Sequence, residues 1–328
     1  MLQKIKGILP DPYVVAILAT VVLASFLPCR GPVARGFDVA TDVVITLLFF
    51  LHGAKLSREA VLQGLGHWRL HLVVLASTFV LFPAMGVAAR ALVAPFVDPT
   101  LAAGVLFLCL LPSTVQSSIA FTAVGRGNVA AAVCSASASN LIGIFVTPLL
   151  VNLLLPQFSS GRDVGGAKQV EAIALQLLLP FALGHLSRPL TQAWLGKRKK
   201  LVGLVDRSSI LFVVYTAFSA AVVGGLWGKL SIADLAIVLL VCTAMLGIVL
   251  AATTMAARAM GFARADEAAI VFCGSKKSLA SGVPMAGVLF PPAVVGPMIV
   301  PLMLFHQIQL MACAVLARAY AGKAAEEG

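Results

Sequence analysis

The sequence predicts an all-α polytopic membrane protein of ten transmembrane helices, arranged as two inverted five-helix repeats in which helices 4 and 9 are broken. Three observations lead there. Of 328 residues, 60% are hydrophobic and only 11% charged, less than half the ~25% of soluble domains, and the mean hydropathy is +1.01. Ten stretches reach the roughly 17–25 apolar residues that a membrane helix needs. Two of them, at corresponding places in the two halves, are interrupted by proline, glycine and polar side chains. So few charges cannot cover a soluble fold of this length, which excludes a soluble enzyme, a disordered chain and a disulfide-stapled secreted domain. Six scattered cysteines have no CxxC or His/Cys spacing, so neither a metal site nor a disulfide framework is indicated. The net charge of +11 reads as cytoplasmic loop charge rather than a nucleic-acid surface.

The ten spans cover approximately 12–28, 39–56, 70–93, 100–123, 128–155, 169–189, 206–227, 231–257, 265–290 and 294–319. The first follows Lys4 and Lys6 as a signal peptide would. Pro28 before Cys29 and the lack of an A-x-A pattern keep it as a helix. Of the 24 lysines and arginines, fifteen fall on the side holding both ends, six on the other, and Arg207, Lys276 and Lys277 within spans. Both termini are therefore expected in the cytoplasm, with the chain in the inner (plasma) membrane. The basic run Lys197–Lys200 between spans 6 and 7 is expected to meet anionic lipid heads.

The chain divides near residue 164. Asp42 opens span 2 and Asp206 opens span 7, 164 positions apart. The interruption Pro112–Ser118 in span 4 matches Cys273–Ser278 in span 9, and Asp98 and Asp266 precede those two spans. Five spans per half place the second half upside down, the pattern of secondary transporters.

In span 4, Pro112 removes a backbone donor, and Ser113, Thr114, Gln116, Ser117 and Ser118 follow within six positions. Broken backbone at membrane depth survives only when it lines a cavity or is buried in protein. A simple proline kink with back-bonded hydroxyls is the alternative, and the density of hydroxyls plus Gln116 weighs against it. In span 9, Ser275, Lys276, Lys277 and Ser278 follow Gly274 between apolar stretches. A charge near the bilayer centre costs about 2.5–3.5 kcal/mol on insertion scales and marks a functional candidate. Ser135, Ser137, Ser139 and Asn140 in span 5 suit either helix packing or the site. The thirteen acidic residues all fall in loops or near span ends. A site with lysine, no buried acid and two half-helix N-termini should prefer an anion. His67 and His71 lack a third metal ligand, and His306, Gln307 and Gln309 make span 10 polar in its first half.

These residues resemble the bile acid:sodium symporter family over nearly the whole chain, most closely a divergent, SBF-like branch of sodium-dependent transporters. The resemblance rests on Pro112 to Ser118, on Arg126-Gly127-Asn128-Val129-Ala130, and on the long strings Leu48 to Leu56, Phe272 to Pro284 and Pro301 to Gln309. It implies a panel domain (1–66 and 161–230, helices 1, 2, 6 and 7) and a core domain (67–160 and 231–320, helices 3–5 and 8–10), followed by a cytoplasmic tail, 321–328. Broken helices 4 and 9 would cross at mid-membrane, with substrate between the domains. Sodium-coupled members carry Glu-x-Gly-x-Gln-Asn at the crossing, where this chain has Phe272, Gly274, Lys276 and Lys277. They have a glutamine where Thr78 precedes Phe79 and Pro83. Lys276 is expected to put a tethered ammonium in place of a bound cation, donating to the same carbonyls. A second sodium site would be left to Ser117, Ser118 and Asn128.

The expectation is a secondary active transporter of a small or amphipathic organic anion. Its binding residues would be Lys276, Lys277, Ser275, Ser278, Ser113, Thr114, Gln116, Ser117, Ser118 and Asn128, with the broken backbone at Pro112 and Gly274. No catalytic residue, metal or cofactor is expected, and Na+ or H+ is the candidate coupling ion. Expected partners are the organic anion, membrane lipid and a second copy in a homodimer, but no nucleic acid. A cation/proton exchanger using a buried lysine, or a non-transporting membrane regulator of ion homeostasis, are the alternatives. No paired carboxylates, metal spacing or Ser/His/Asp grouping supports an enzyme.

Overall fold

The computed structural model describes residues 12–55, 67–158 and 174–326, and among them every regular element is helical. Lys4, Lys6, Arg58, Arg162 and Lys168, used above for orientation, lie outside the described residues, as do residues 169–173 of span 6 and the last two of the tail. The helices are α1 (Pro12–Phe26), α2 (Gly31–Lys55), α3 (Trp68–Ala76), a π turn (Ser77–Leu81) running into α4 (Phe82–Val93), α5 (Pro99–Leu110), α6 (Gln116–Val124) and α7 (Val129–Leu154). After a second π turn (Ala174–Leu178) come α8 (Leu179–Lys197), α9 (Lys199–Val223), the short α10 (Leu226–Lys229), α11 (Ile232–Ala259), α12 (Arg264–Gly274), α13 (Leu279–Leu289) and α14 (Pro292–Glu326).

Among the described residues six helices are long and apolar enough to cross a membrane: Gly31–Lys55, Trp68–Val93, Val129–Leu154, Lys199–Val223, Ile232–Ala259 and Pro292–Gly322. The other four expected spans correspond to α1, to the pairs α5/α6 and α12/α13, and to α8. The interruptions are narrower than the sequence suggests. Chain 111–115 separates α5 from α6, so Gln116, Ser117 and Ser118 form the first turn of a helix, and only 275–278 separates α12 from α13. Local chemistry sets these ends. Asp98 caps α5 by accepting from Thr100 N at 2.8 Å, Asn128 caps α7 through Ala131 N at 3.0 Å, and Ser278 caps α13 through Ser281 N at 3.1 Å. Ser231 and Asp234 form a capping box on α11.

Two helices begin earlier than hydropathy indicates. Gly31, at φ +58°, turns the chain and Pro32 opens α2, so Asp42 sits mid-helix and does not open the span. Likewise α9 starts at Lys199, placing Asp206 two turns inside it. Apolar content reports membrane depth, whereas capping and turn residues report where the helix starts.

α1, α2, α8 and α9 pack chiefly on one another. The remaining long helices pack around α5, which is buried on every side from Leu101 to Leu110, and around α12, buried from Glu267 to Gly274. α9 meets α13 and α14 between the two groups. Outward faces carry large exposed apolar side chains such as Leu18, Leu190, Leu240 and Val315, a surface suited to lipid rather than water. The tightest approach is α2 on α8. A Cβ on Gly53 would collide with the Phe181 carbonyl oxygen, and one on Gly184 with that of Phe50, so the two backbones touch reciprocally. Gly53→Ala and Gly184→Ala should each destabilise the protein by about 1–3 kcal/mol or more, the cost of overpacking. Gly247→Ala, with nothing within 4 Å of the added carbon, should not. Thermal unfolding in detergent compares the three, and equal behaviour would refute the contact.

Candidate functional site

The two interruptions face each other, and each satisfies the other's backbone. A helix leaves its last carbonyls without intrahelical donors, and inside a membrane no water replaces them. At the end of α5, Leu110 O takes Thr147 Oγ1 at 2.8 Å, Pro112 O takes Ser278 N at 2.9 Å and Ser113 O takes Asn140 Nδ2 at 2.7 Å. At the end of α12, Val271 O takes Ser275 Oγ at 2.6 Å, Phe272 O takes Ser118 Oγ at 2.9 Å, Cys273 O takes Ser113 Oγ at 2.5 Å and Gly274 O takes Ser77 Oγ at 2.8 Å.

Cys109 O and Leu111 O both take the Lys277 ammonium, at 2.9 and 2.7 Å. Its third donor goes to Thr78 O at 2.9 Å. That carbonyl is bare for a local reason. In the π turn the Phe82 amide bonds back to Ser77 O, and the next residue, Pro83, has no N–H to offer. The ring of Phe82 lies 4.1 Å from the same ammonium, adding a cation–π contact. Lys277 is thus a fully buried cation in a cage of three carbonyls and one aromatic face. The Lys276 ammonium, also buried, donates to Ser117 O at 3.0 Å and sits 3.9 Å over the Phe121 ring. Where the sequence led us to expect Lys276 in place of a bound cation, Lys276 reaches one carbonyl and Lys277 three, because the 275–278 turn aims Lys277 at the end of α5.

A cavity of about 640 Å³ opens beside this knot, between the α1/α2/α8/α9 group and the other helices. Its polar wall is Thr114, Gln116, Ser117, Ser137, Asn140, Ser278 and Ser281, from the two interruptions, the first turns of α6 and α13, and α7. Phe49, Phe181, Ile144, Leu279 and Met285 make the apolar wall, and His306 projects from α14. Lys199, Lys200 and Arg207 stand on α9, with Lys55 bonded to Asp206 across the α2–α9 contact. Lys199 and Lys200, which the sequence assigns to a loop, belong to a helical turn at this cavity.

The predicted site residues therefore separate into three sets. Thr114, Gln116, Ser117 and Ser278 line the cavity. Ser113, Ser118, Ser275, Lys276 and Lys277 are buried behind it and hold backbone, and neither lysine is part of the cavity wall. Asn128 lies apart: it caps α7 and donates to Asp266 Oδ1 at 2.8 Å. Pro112 contributes its carbonyl to the knot. Gly274 acts by its small size, since an added carbon would come within 3.1 Å of Thr253. Sequence reasoning missed Ser77 and Thr147 as members of the knot, left Asn140 open between packing and the site, and noted Gln309 only as a polar residue of span 10. Asn140 also accepts from Ser281 Oγ at 2.8 Å, and Gln309 bonds both the N–H and the C=O of Lys277. Their one visible signal is an amide or hydroxyl within an apolar helix. Among the described residues no group of three metal-ligating side chains occurs.

The signature of the SBF-like CPA transporter family matches residues 11–322. The chain belongs to that family. The SBF-like chain is 56% identical over 313 residues to the uncharacterised PA2026 of Pseudomonas aeruginosa, covering 95% of this chain and 93% of that one. It is also 56% identical over 310 residues to a proposed symporter, YfeH of Escherichia coli K12, covering 94% and 92%. Sodium/bile acid cotransporter 7 of mouse is 29% identical over 289 residues, covering 87% and 84%. The resemblance to the bile acid:sodium symporters is borne out. This is a family of transporters, and the apolar helices make this member an integral membrane protein.

Lys277→Met keeps the aliphatic stem and bares three carbonyls, each costing about 1–3 kcal/mol when buried without a donor. Lys276→Met releases only Ser117 O, which lies within α6 and has a helical donor. Thermal unfolding in detergent should show the larger loss for Lys277→Met, and equal losses would refute the cage.

Proposed function

We propose that this SBF-like protein is a secondary active transporter of an amphipathic organic anion, working by alternating access. The 640 Å³ cavity carries the reading. Its polar wall includes the first turns of α6 and α13, whose positive dipole ends suit a negative group. Lys199, Lys200 and Arg207 add full positive charge, and Phe49, Phe181 and Met285 accept an apolar body. The buried lysines serve a different purpose. Lys277 neutralises the negative end of α5, so the cavity keeps the attractive ends of the broken helices.

In this reading the ten spans form two inverted repeats, with the broken pairs α5/α6 and α12/α13 as counterparts. The α1/α2/α8/α9 group is the panel and the other helices are the core. The packing of the helices into those two groups and the reciprocal bonding of the two interruptions support it. Substrate enters between the groups, and movement of one against the other exposes it to either side. Transport does not use sodium at the crossing, because the Lys277 ammonium already occupies the three carbonyls that would receive a cation. Both termini face the cytoplasm in the inner membrane.

The test is uptake into proteoliposomes of a panel of amphipathic carboxylates and sulfonates that includes taurocholate. At least one should enter saturably, at a rate unchanged when N-methylglucamine replaces sodium. Lys199→Gln and Arg207→Gln should each raise KM roughly fivefold, equivalent to about 1 kcal/mol. No saturable uptake across the panel would refute the reading, and uptake abolished without sodium would refute the role given to Lys277.

A further inference from the structure

His306 is on the cavity wall, yet it is wired to the knot behind. Gln309 Oε1 accepts from Lys277 N at 2.9 Å, and Gln309 Nε2 donates to Lys277 O at 3.0 Å. A backbone N–H can only donate and a carbonyl can only accept, so the peptide groups of Lys277 dictate which way the amide points. The other hydrogen of Nε2 is then left for His306 Nδ1, 2.8 Å away. Nδ1 must therefore be the acceptor, and the imidazole is neutral with its proton on Nε2.

A proton added to Nδ1 would set N–H against N–H. Turning Gln309 over cannot relieve this, because both bonds to Lys277 would become like-to-like. The imidazolium must leave Gln309, or Gln309 must release Lys277. Either way one proton acts on the residue whose ammonium ties Thr78, Cys109 and Leu111 together. We infer that His306 is the proton-binding site through which anion movement is coupled to a proton gradient. The coupling rests on the transport reading; the clamp does not.

The surrounding charges support this pairing of ligands. Of the elements packed on α14, α5, α6 and α13 carry no acid, base or imidazole. On α11 and α12, Asp234 bonds Ser231, Asp266 bonds Asn128, Arg258 and Glu267 bond each other, and Arg264 lies over the ring of Tyr320. The break itself adds Lys276 and Lys277. Across the cavity, α9 presents Lys199, Lys200, Arg207 and Asp206, the last bonded to Lys55 of α2 near His52. The balance is basic, so an anion entering the cavity favours an added proton, and by linkage the proton favours the anion.

The decisive comparison is hydrogen exchange of segment 275–282 in the full chain in detergent, at pH 5.5 and 7.5, corrected for intrinsic rates. Wild-type protection at the Lys277 amide should fall at least tenfold on acidification. His306→Asn offers an oxygen to Gln309 but does not titrate, so its protection should match wild type at pH 7.5 and hold at pH 5.5. Unchanged wild-type protection, or the same fall in the variant, would overturn the inference. If the variant does not fold, the wild-type pair of measurements decides alone. In proteoliposomes given the same panel of carboxylates and sulfonates, an inward proton gradient should stimulate uptake of the transported anion by wild type and lose that stimulation in His306→Asn. Wild-type uptake indifferent to the gradient overturns the coupling. No wild-type uptake at all retires the transport reading and the coupling with it, while hydrogen exchange still decides the clamp.

Discussion

Two helices stop inside an apolar slab, and the carbonyls they expose must find donors within the protein. The rest of the structure answers that constraint. Carbonyls from Cys109 to Ser113 and from Val271 to Gly274 are all taken, by hydroxyls, one amide side chain, two peptide N–H groups and one ammonium. Donors such as Ser77, Thr147 and Asn140 lie far from the breaks in sequence, so the broken segments are joined to the π turn after α3 and to α7 by the same bonds that make them tolerable, while Gln309 of α14 holds the Lys277 peptide groups. An unsatisfied buried polar group is costly, and for that reason small hydroxyl residues crowd the places where the helices end.

The arrangement also sorts electrical polarity. Helix C-termini carry partial negative charge and N-termini partial positive charge. The Lys277 ammonium sits at the end of α5, behind the cavity, whereas the beginnings of α6 and α13 border it. Two buried amines with no carboxylate beside them are thereby compatible with the fold, because carbonyl dipoles and the rings of Phe82 and Phe121 supply the negative potential.

Both interruptions were legible in the sequence, since a proline among hydroxyls and a lysine pair between apolar runs rarely survive at membrane depth in an unbroken helix. The membrane class and the family were legible as well. The division of labour between the lysines was not. Adjacent residues in a non-helical turn point in different directions, and that turn is set by what α5 leaves unsatisfied. Asn140 and Gln309 are polar residues in otherwise apolar helices, a pattern equally consistent with ordinary packing, so only the fold reveals that they brace the breaks. Asn128 drew notice because it belongs to a conspicuous string, yet its chemistry is that of a helix cap. The early starts of α2 and α9 are invisible to hydropathy, which is silent about turns such as that at Gly31.

The reciprocal contact of Gly53 with Gly184 has a mechanical consequence. Backbones pressed together without intervening side chains have no soft layer in which to slip, so α2 and α8 must travel as a single rod. In the proposed alternating access, displacement would fall to seams cushioned by side chains, such as that of α9 with α13 and α14. A chassis of this kind transmits a rigid tilt from one membrane face to the other without being bent by it.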